Sequence, residues 1–102
     1  MNNKTKKPFD NSRDNVMLLI NARIRELKEQ CLQHRYYIEA RLTEAQRKRM
    51  NGKDLLQFKA MESINTITKD VDMKLNWGDL IIKTRELESF TTTANYLEER
   101  MS

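Results

Sequence analysis

Apolar residues recur at intervals of three and four from Ser12 to about Met50, a stretch without glycine or proline. A 3.5-residue template meets apolar side chains at seven of its nine positions. The nine occupants are Met17, Ile20, Ile24, Leu27, Cys31, His34, Ile38, Arg41 and Ala45, with Leu42 beside Arg41. Further apolar side chains widen the stripe, namely Leu18, Leu19, Leu32, Tyr36 and Tyr37. The pattern predicts one long helix over residues 12–50 that packs against more than one neighbour.

Asn51-Gly52 is the strongest turn signal in the chain, because glycine suits the left-handed residue that ends a helix. Asp54 is placed to cap the next helix, with Gln57 in the reciprocal capping position three residues later. Apolar residues then follow at spacings of three and four, at Phe58, Met61, Ile64, Ile67, Val71 and Leu75. These features predict a turn at 51–52 and a second helix over residues 54–77.

A third helix is predicted over residues 79–101. Leu80, Leu87, Ala94 and Met101 recur every seven residues, and Phe90 and Leu97 fill core positions between the later ones. Gly78 fits two interpretations: it ends a helix before Asp79, or it lies inside one long helix at a cost of about 1 kcal/mol. The phase of the apolar stripe shifts at Trp77-Gly78, which favours a break or a kink.

We therefore predict an all-α fold: a long antiparallel helical hairpin or a three-helix bundle with coiled-coil-like packing. Residues 1–11 are expected to form a flexible basic tail, and residues 12–102 a single helical domain. A hairpin that turns at 51–52 pairs residues 58–83 with residues 20–45 and leaves the last segment without an internal partner. The predicted partner-binding residues are therefore Leu80, Leu87, Phe90, Ala94 and Leu97.

Composition adds limits on location. The longest apolar run, Val16 to Ile20, has five residues, whereas a membrane-spanning helix needs about 20. No apolar core follows the basic start of the chain, so we expect no secretory signal. The single cysteine, Cys31, has no partner for an internal disulfide, which favours the cytoplasm or another intracellular compartment.

The charge is unevenly distributed along the chain. Residues 1–53 carry a formal charge of +7 and residues 54–102 a charge of −3, for a net charge of +4. One interpretation is that the two halves of a hairpin attract each other. The other is that the basic half binds nucleic acid or an acidic partner. The candidate phosphate contacts are Arg41, Arg47, Lys48, Arg49 and Lys53, with support from Lys4, Lys6 and Lys7 of the tail.

Catalytic and metal-binding motifs are missing from the sequence. Cys31 and His34 lie on one helix face, but a nucleophile–base pair needs an orienting group and a pocket, and two ligands are too few for a metal. Two chains together would supply four such ligands, but we favour packing roles, with His34 as a polar residue that fixes register. We expect no enzymatic activity, no cofactor and no metal.

The function that best fits these features is that of a non-enzymatic intracellular adaptor, chaperone or assembly factor. It would act through helix–helix packing with another protein or through self-association. The alternative is a small basic regulatory protein that associates with nucleic acid through the 47–53 cluster and the basic tail.

Overall fold

The computed structural model describes residues 12–101, and its secondary structure there is helical, with no strand. The elements are α1 (Ser12–Arg41), α2 (Glu44–Met50), a 3₁₀ turn (Leu55–Gln57), α3 (Met61–Asn65) and α4 (Val71–Met101). The two long helices pack against each other as an antiparallel hairpin, which confirms the predicted all-α hairpin. The predicted tail at residues 1–11 lies outside the described residues.

The register of α1 against α4 differs from the predicted one. Met17 and Ile20 share a small core with Ala94, while Cys31 faces Thr84 near the middle of the hairpin. The prediction assumed a tight turn at 51–52, whereas residues 42–70 together form the connection between the long helices. The C-terminal half of α4 therefore runs along the N-terminal half of α1, and its apolar side chains do have internal partners.

The main core lies where the connection folds back onto α1 and α4. Trp77 is fully buried there, and its Nε1–H donates a hydrogen bond of 2.8 Å to the carbonyl oxygen of Leu55. The ring of Phe58 packs edge-on against the indole, with 5.7 Å between ring centroids. The hydrogen bond compensates the free-energy cost of removing the indole N–H from water. Burial of the ring is therefore favourable only with the 3₁₀ turn in place, and this contact holds the turn against α4.

The connection contains two capping boxes that explain its breaks. Thr43 accepts from the backbone N–H of Gln46, and the Gln46 side chain accepts from the backbone N–H of Thr43, so a new helix begins at Glu44. Asp54 and Gln57 form the second box, as predicted, but it starts a 3₁₀ turn rather than a long helix. The predicted spans 12–50 and 54–77 are therefore wrong as continuous helices.

The predicted turn at Asn51-Gly52 is confirmed. Asn51 ends α2 in the left-handed region, with φ of 57°, and its backbone N–H donates to the carbonyl of Lys48. Gly52 follows with φ of 79°. Two consecutive left-handed residues reverse the chain direction in a way that favours glycine.

Of the two forms predicted at Gly78, a break or a kink, the break is wrong, because α4 runs without interruption from Val71 to Met101. The helix begins where the Asp70 carboxylate accepts a hydrogen bond of 2.8 Å from the backbone N–H of Met73. The buried residues of α4 on both sides of Gly78 belong to one core that contains Ile38 of α1 as well as residues of the connection, so the apolar stripe of α4 is wider here and its phase changes. Burial of Trp77 and Leu80 on either side outweighs the small helical penalty of one glycine.

Gly78→Ala is expected to stabilise the protein by about 0.5–1 kcal/mol, because alanine restricts the unfolded chain and favours helix. The added Cβ would lie 3.5 Å from Cε of Met61, an ordinary contact. Gly52→Ala is the matched control, expected to destabilise by about 1 kcal/mol because of its positive φ. Urea unfolding measures the change in the free energy of unfolding for each variant. A decrease for Gly78→Ala would contradict a continuous α4.

Candidate helix-docking groove

The predicted partner-binding residues do not form one surface. Ala94 is buried with Met17 and Ile20, and Phe90 and Leu97 pack against that small core. They were predicted to bind a partner because the expected register left them without neighbours in the chain. In the observed register Phe90, Ala94 and Leu97 pack against α1, so that premise is wrong. Leu80 and Leu87 remain together at a different place, beside an open groove on the hairpin.

The groove lies between α1 and α4 and has a volume of about 370 Å³. The 3₁₀ turn closes one side through Leu56, while Leu32 and Leu87 stand on the two long helices. Leu80 is buried and half-buried Leu87 lies two helical turns further along α4. The complete lining is Lys28, Cys31, Leu32, Arg35, Leu56, Leu80, Thr84 and Leu87. Most of this surface is aliphatic, with two cations on α1.

The two cations have different surroundings. Arg35 donates to both carboxylate oxygens of Asp54, at 3.0 and 3.4 Å, and lies 3.6 Å from the carboxylate of Glu39. Lys28 forms no ion pair with any described residue. The hydrogen bond from Arg35 lowers the pKa of Asp54, with backbone N–H groups of the 3₁₀ turn assisting, and the same bond raises the pKa of Arg35.

Polar contacts at the α1–α4 seam lie next to the groove. Cys31 Sγ is 3.7 Å from Oγ1 of Thr84, and His34 is held on both ring nitrogens. Its Nε2 lies 2.8 Å from Nζ of Lys83, and its Nδ1 lies 2.8 Å from Oδ1 of Asn76. An ammonium group only donates, so Nε2 accepts and Nδ1–H donates to Asn76. This arrangement ties the two helices at one register.

Cys31 and His34 are thus bonded to α4 rather than to each other. Neither is placed as a nucleophile beside its base. Within the described part of the chain, no group of three or more His, Cys, Asp or Glu side chains is arranged to hold a metal ion.

Most of the basic side chains predicted to bind phosphate make contacts with other residues of the chain instead. Three arginines donate to carbonyl oxygens near helix ends: Arg41 to Tyr37, Arg47 to Glu39 and Arg49 to Ile67. Arg41 also stacks on the Tyr37 ring, and Lys53 lies over the Phe58 ring. Lys48 is exposed. The Glu39 carbonyl lies in the last turn of α1, where carbonyls lack intrahelical partners, and the bond from Arg49 joins α2 to Ile67 beyond α3, so the basic cluster has a structural role here.

The outer face of α1 is exposed, contrary to the packing predicted from the sequence. Four side chains expected to pack in a bundle are more than half exposed: Leu18, Leu19, Leu32 and Tyr36. Leu18 is 68% and Tyr36 is 73% exposed. The hairpin offers α1 one long neighbour, on the opposite face, so this predicted packing is not made within the described residues.

Four groove residues were not singled out from the sequence, namely Lys28, Arg35, Leu56 and Thr84. Leu56 stands off the apolar stripe and reaches the groove only because the 3₁₀ turn is held by Trp77. Lys28 lies in a charged stretch and has no local signal that distinguishes it.

Comparison with family models, with curated proteins and with solved structures found no match. A search of the described helices finds none with the length and apolar character needed to cross a membrane.

The ion pair at the groove predicts an acid-dependent contribution to stability. The pKa of Asp54 is lower in the folded protein than in the unfolded chain. Its contribution is therefore complete above the unfolded value, about 3.9, and is lost as the pH falls through the folded value. The size is expected to be below about 1 kcal/mol, because half of the Asp54 side chain is exposed.

Asp54→Asn tests this linkage, since asparagine still caps the 3₁₀ turn but does not ionise. The stability difference between wild type and variant, measured by urea unfolding, should shrink between about pH 5 and pH 2. Arg35→Met should remove most of the same dependence. A difference that stays constant over this range would contradict the role of the pair.

Proposed function

We propose that this protein is a non-enzymatic helical adaptor, chaperone or assembly factor that binds an amphipathic helix of another protein. The observation that carries the proposal is the open leucine-lined groove between α1, α4 and the 3₁₀ turn. An exposed aliphatic groove on a helical hairpin is costly to leave in water, and a third helix laid into it buries the exposed leucines.

The geometry of the groove favours one kind of partner. A helix lying between two antiparallel helices presents apolar anchors at spacings of three, four and seven residues. Lys28 stands at the edge without an acidic partner, so an acidic residue beside the anchors would complete the contact. We therefore expect an amphipathic helix with an aliphatic stripe and at least one flanking carboxylate. We place this activity in the cytoplasm, in keeping with the single cysteine.

Capture of partners from the protein's own cell extract, with variants in parallel, tests the groove. Leu87→Asp places a charge in the aliphatic lining and is expected to abolish capture. Lys28→Glu changes an exposed side chain without touching the core, and it should weaken capture at least about tenfold. Ile82→Asp is the matched control, since Ile82 is exposed on α4 outside the groove lining and its substitution should leave capture unchanged.

The alternative, binding to nucleic acid through the basic cluster, gives the opposite pattern. Captured material would then disappear after nuclease treatment and in the double variant Arg47→Glu, Arg49→Glu, with steep weakening in salt. Capture that resists nuclease and is lost with Leu87→Asp and Lys28→Glu, but not with Ile82→Asp, supports the groove. Equal capture by all three groove and control variants would contradict the proposal.

A further inference from the structure

The exposed face of α1 carries a second seam, apolar at four of its six positions and charged at the two central ones. Its positions follow one another at spacings of four and three, the repeat of a coiled-coil seam. They are Leu18, Ala22, Arg25, Glu29, Leu32 and Tyr36, all exposed. The seam lies on the face of α1 away from the buried positions Met17, Ile20, Leu27 and Ile38. It extends over about five helical turns, or roughly 27 Å.

This outer seam is symmetric about residue 27. Reversing its direction exchanges Leu18 with Tyr36, Ala22 with Leu32, and Arg25 with Glu29. A two-fold axis on the outer face, at the height of residue 27, would therefore bring a second copy of α1 alongside in antiparallel orientation, as isologous dimer contacts require.

Each pair across such an axis is complementary. Arg25 meets the partner's Glu29 at the centre, and the two-fold axis repeats this pair. Ala22 makes room for the partner's Leu32, and Leu18 lies against the partner's Tyr36. Neither Arg25 nor Glu29 forms an ion pair among the described residues, so both are available for this contact.

A parallel arrangement of the same seam is unfavourable. It would place Arg25 on the partner's Arg25 and Glu29 on the partner's Glu29, with repulsion at both central layers. It would also set Ala22 against the partner's Ala22, which leaves a gap between larger side chains. The charge order along the seam thus selects the antiparallel direction.

Two flanking side chains also approach the axis. Glu26 and Lys28 lie on opposite edges of the seam, each near its own symmetry copy. Glu26 is paired with Arg23 within the chain, which compensates its charge. Lys28 lines the groove and is exposed, so its long side chain can turn away from its copy.

We propose that the protein forms an antiparallel homodimer through the outer seam of α1, with two central Arg25–Glu29 ion pairs. This contact does not depend on the proposed function, because a dimer of this kind can form whether or not the groove binds a partner. Leu32 is the one residue common to the seam and the groove.

Sedimentation equilibrium of charge variants tests the pairing. The wild-type chain of 12.2 kDa should approach twice that mass as its concentration rises. Arg25→Glu and Glu29→Arg should each weaken dimerisation at least about tenfold, since each places like charges at the centre. The double variant should regain the wild-type dimer. Arg85→Glu, the same charge change at an exposed position of α4, is the control and should dimerise normally.

Cysteine cross-linking tests the direction, in a chain whose native cysteine is removed by Cys31→Ser. Ala22→Cys with Leu32→Cys should give covalent dimers on oxidation. Positions 22 and 32 are about 15 Å apart along one helix, beyond the reach of a disulfide, so such a bond joins two chains. Ala22→Cys alone should not cross-link. A monomer at all concentrations, no rescue by the double charge variant, or efficient cross-linking by Ala22→Cys alone would each overturn the proposal.

Discussion

The hydrogen bond from the buried indole of Trp77 to the carbonyl of Leu55 sets the geometry of the hairpin. Burying a tryptophan gains a large apolar area, but its N–H must find an acceptor in the same place. The 3₁₀ turn provides that acceptor and is thereby held against α4. The connection consequently occupies residues 42–70, and the start of α4 at Val71 determines which residue of α4 faces which residue of α1. The groove exists because the same turn brings Leu56 to the hairpin surface.

Local signals in the sequence account for much of the fold. Periodicity identifies the buried side of α1, and the Asn51-Gly52 turn and the Asp54–Gln57 capping box are readable from residue types alone. The break after α1 also has a local signal, the capping box of Thr43 and Gln46, but neither glycine nor proline marks it. At Gly78 the local signal is misleading, because a penalty of about 1 kcal/mol is small beside the burial of neighbouring side chains.

The candidate site was harder to predict because it depends on register. A turn placed at 51–52 instead of an extended connection shifts the facing residues of the hairpin by about three helical turns. That shift turned Phe90, Ala94 and Leu97 from internal packing residues into an apparently unpartnered surface. The heptad spacing did identify Leu80 and Leu87, which share the groove lining. Lys28 and Leu56 are brought beside these two leucines only by the tertiary fold. The spacing of residues along one helix cannot predict such a contact.

The two apolar faces of α1 differ in burial: one is covered by α4 and the other is exposed. The inner face is buried by α4, and its polar contacts at His34 fix one register within the chain. The outer face has no such neighbour, yet a helix that carries apolar side chains on opposite faces gains most when both are buried. A second α1 on the outer face would align four helices in one layer, α4–α1–α1–α4. Each groove would then lie beside the central pair of α1 helices. Leu32 would belong both to the dimer contact and to the groove lining, so dimerisation would affect partner binding.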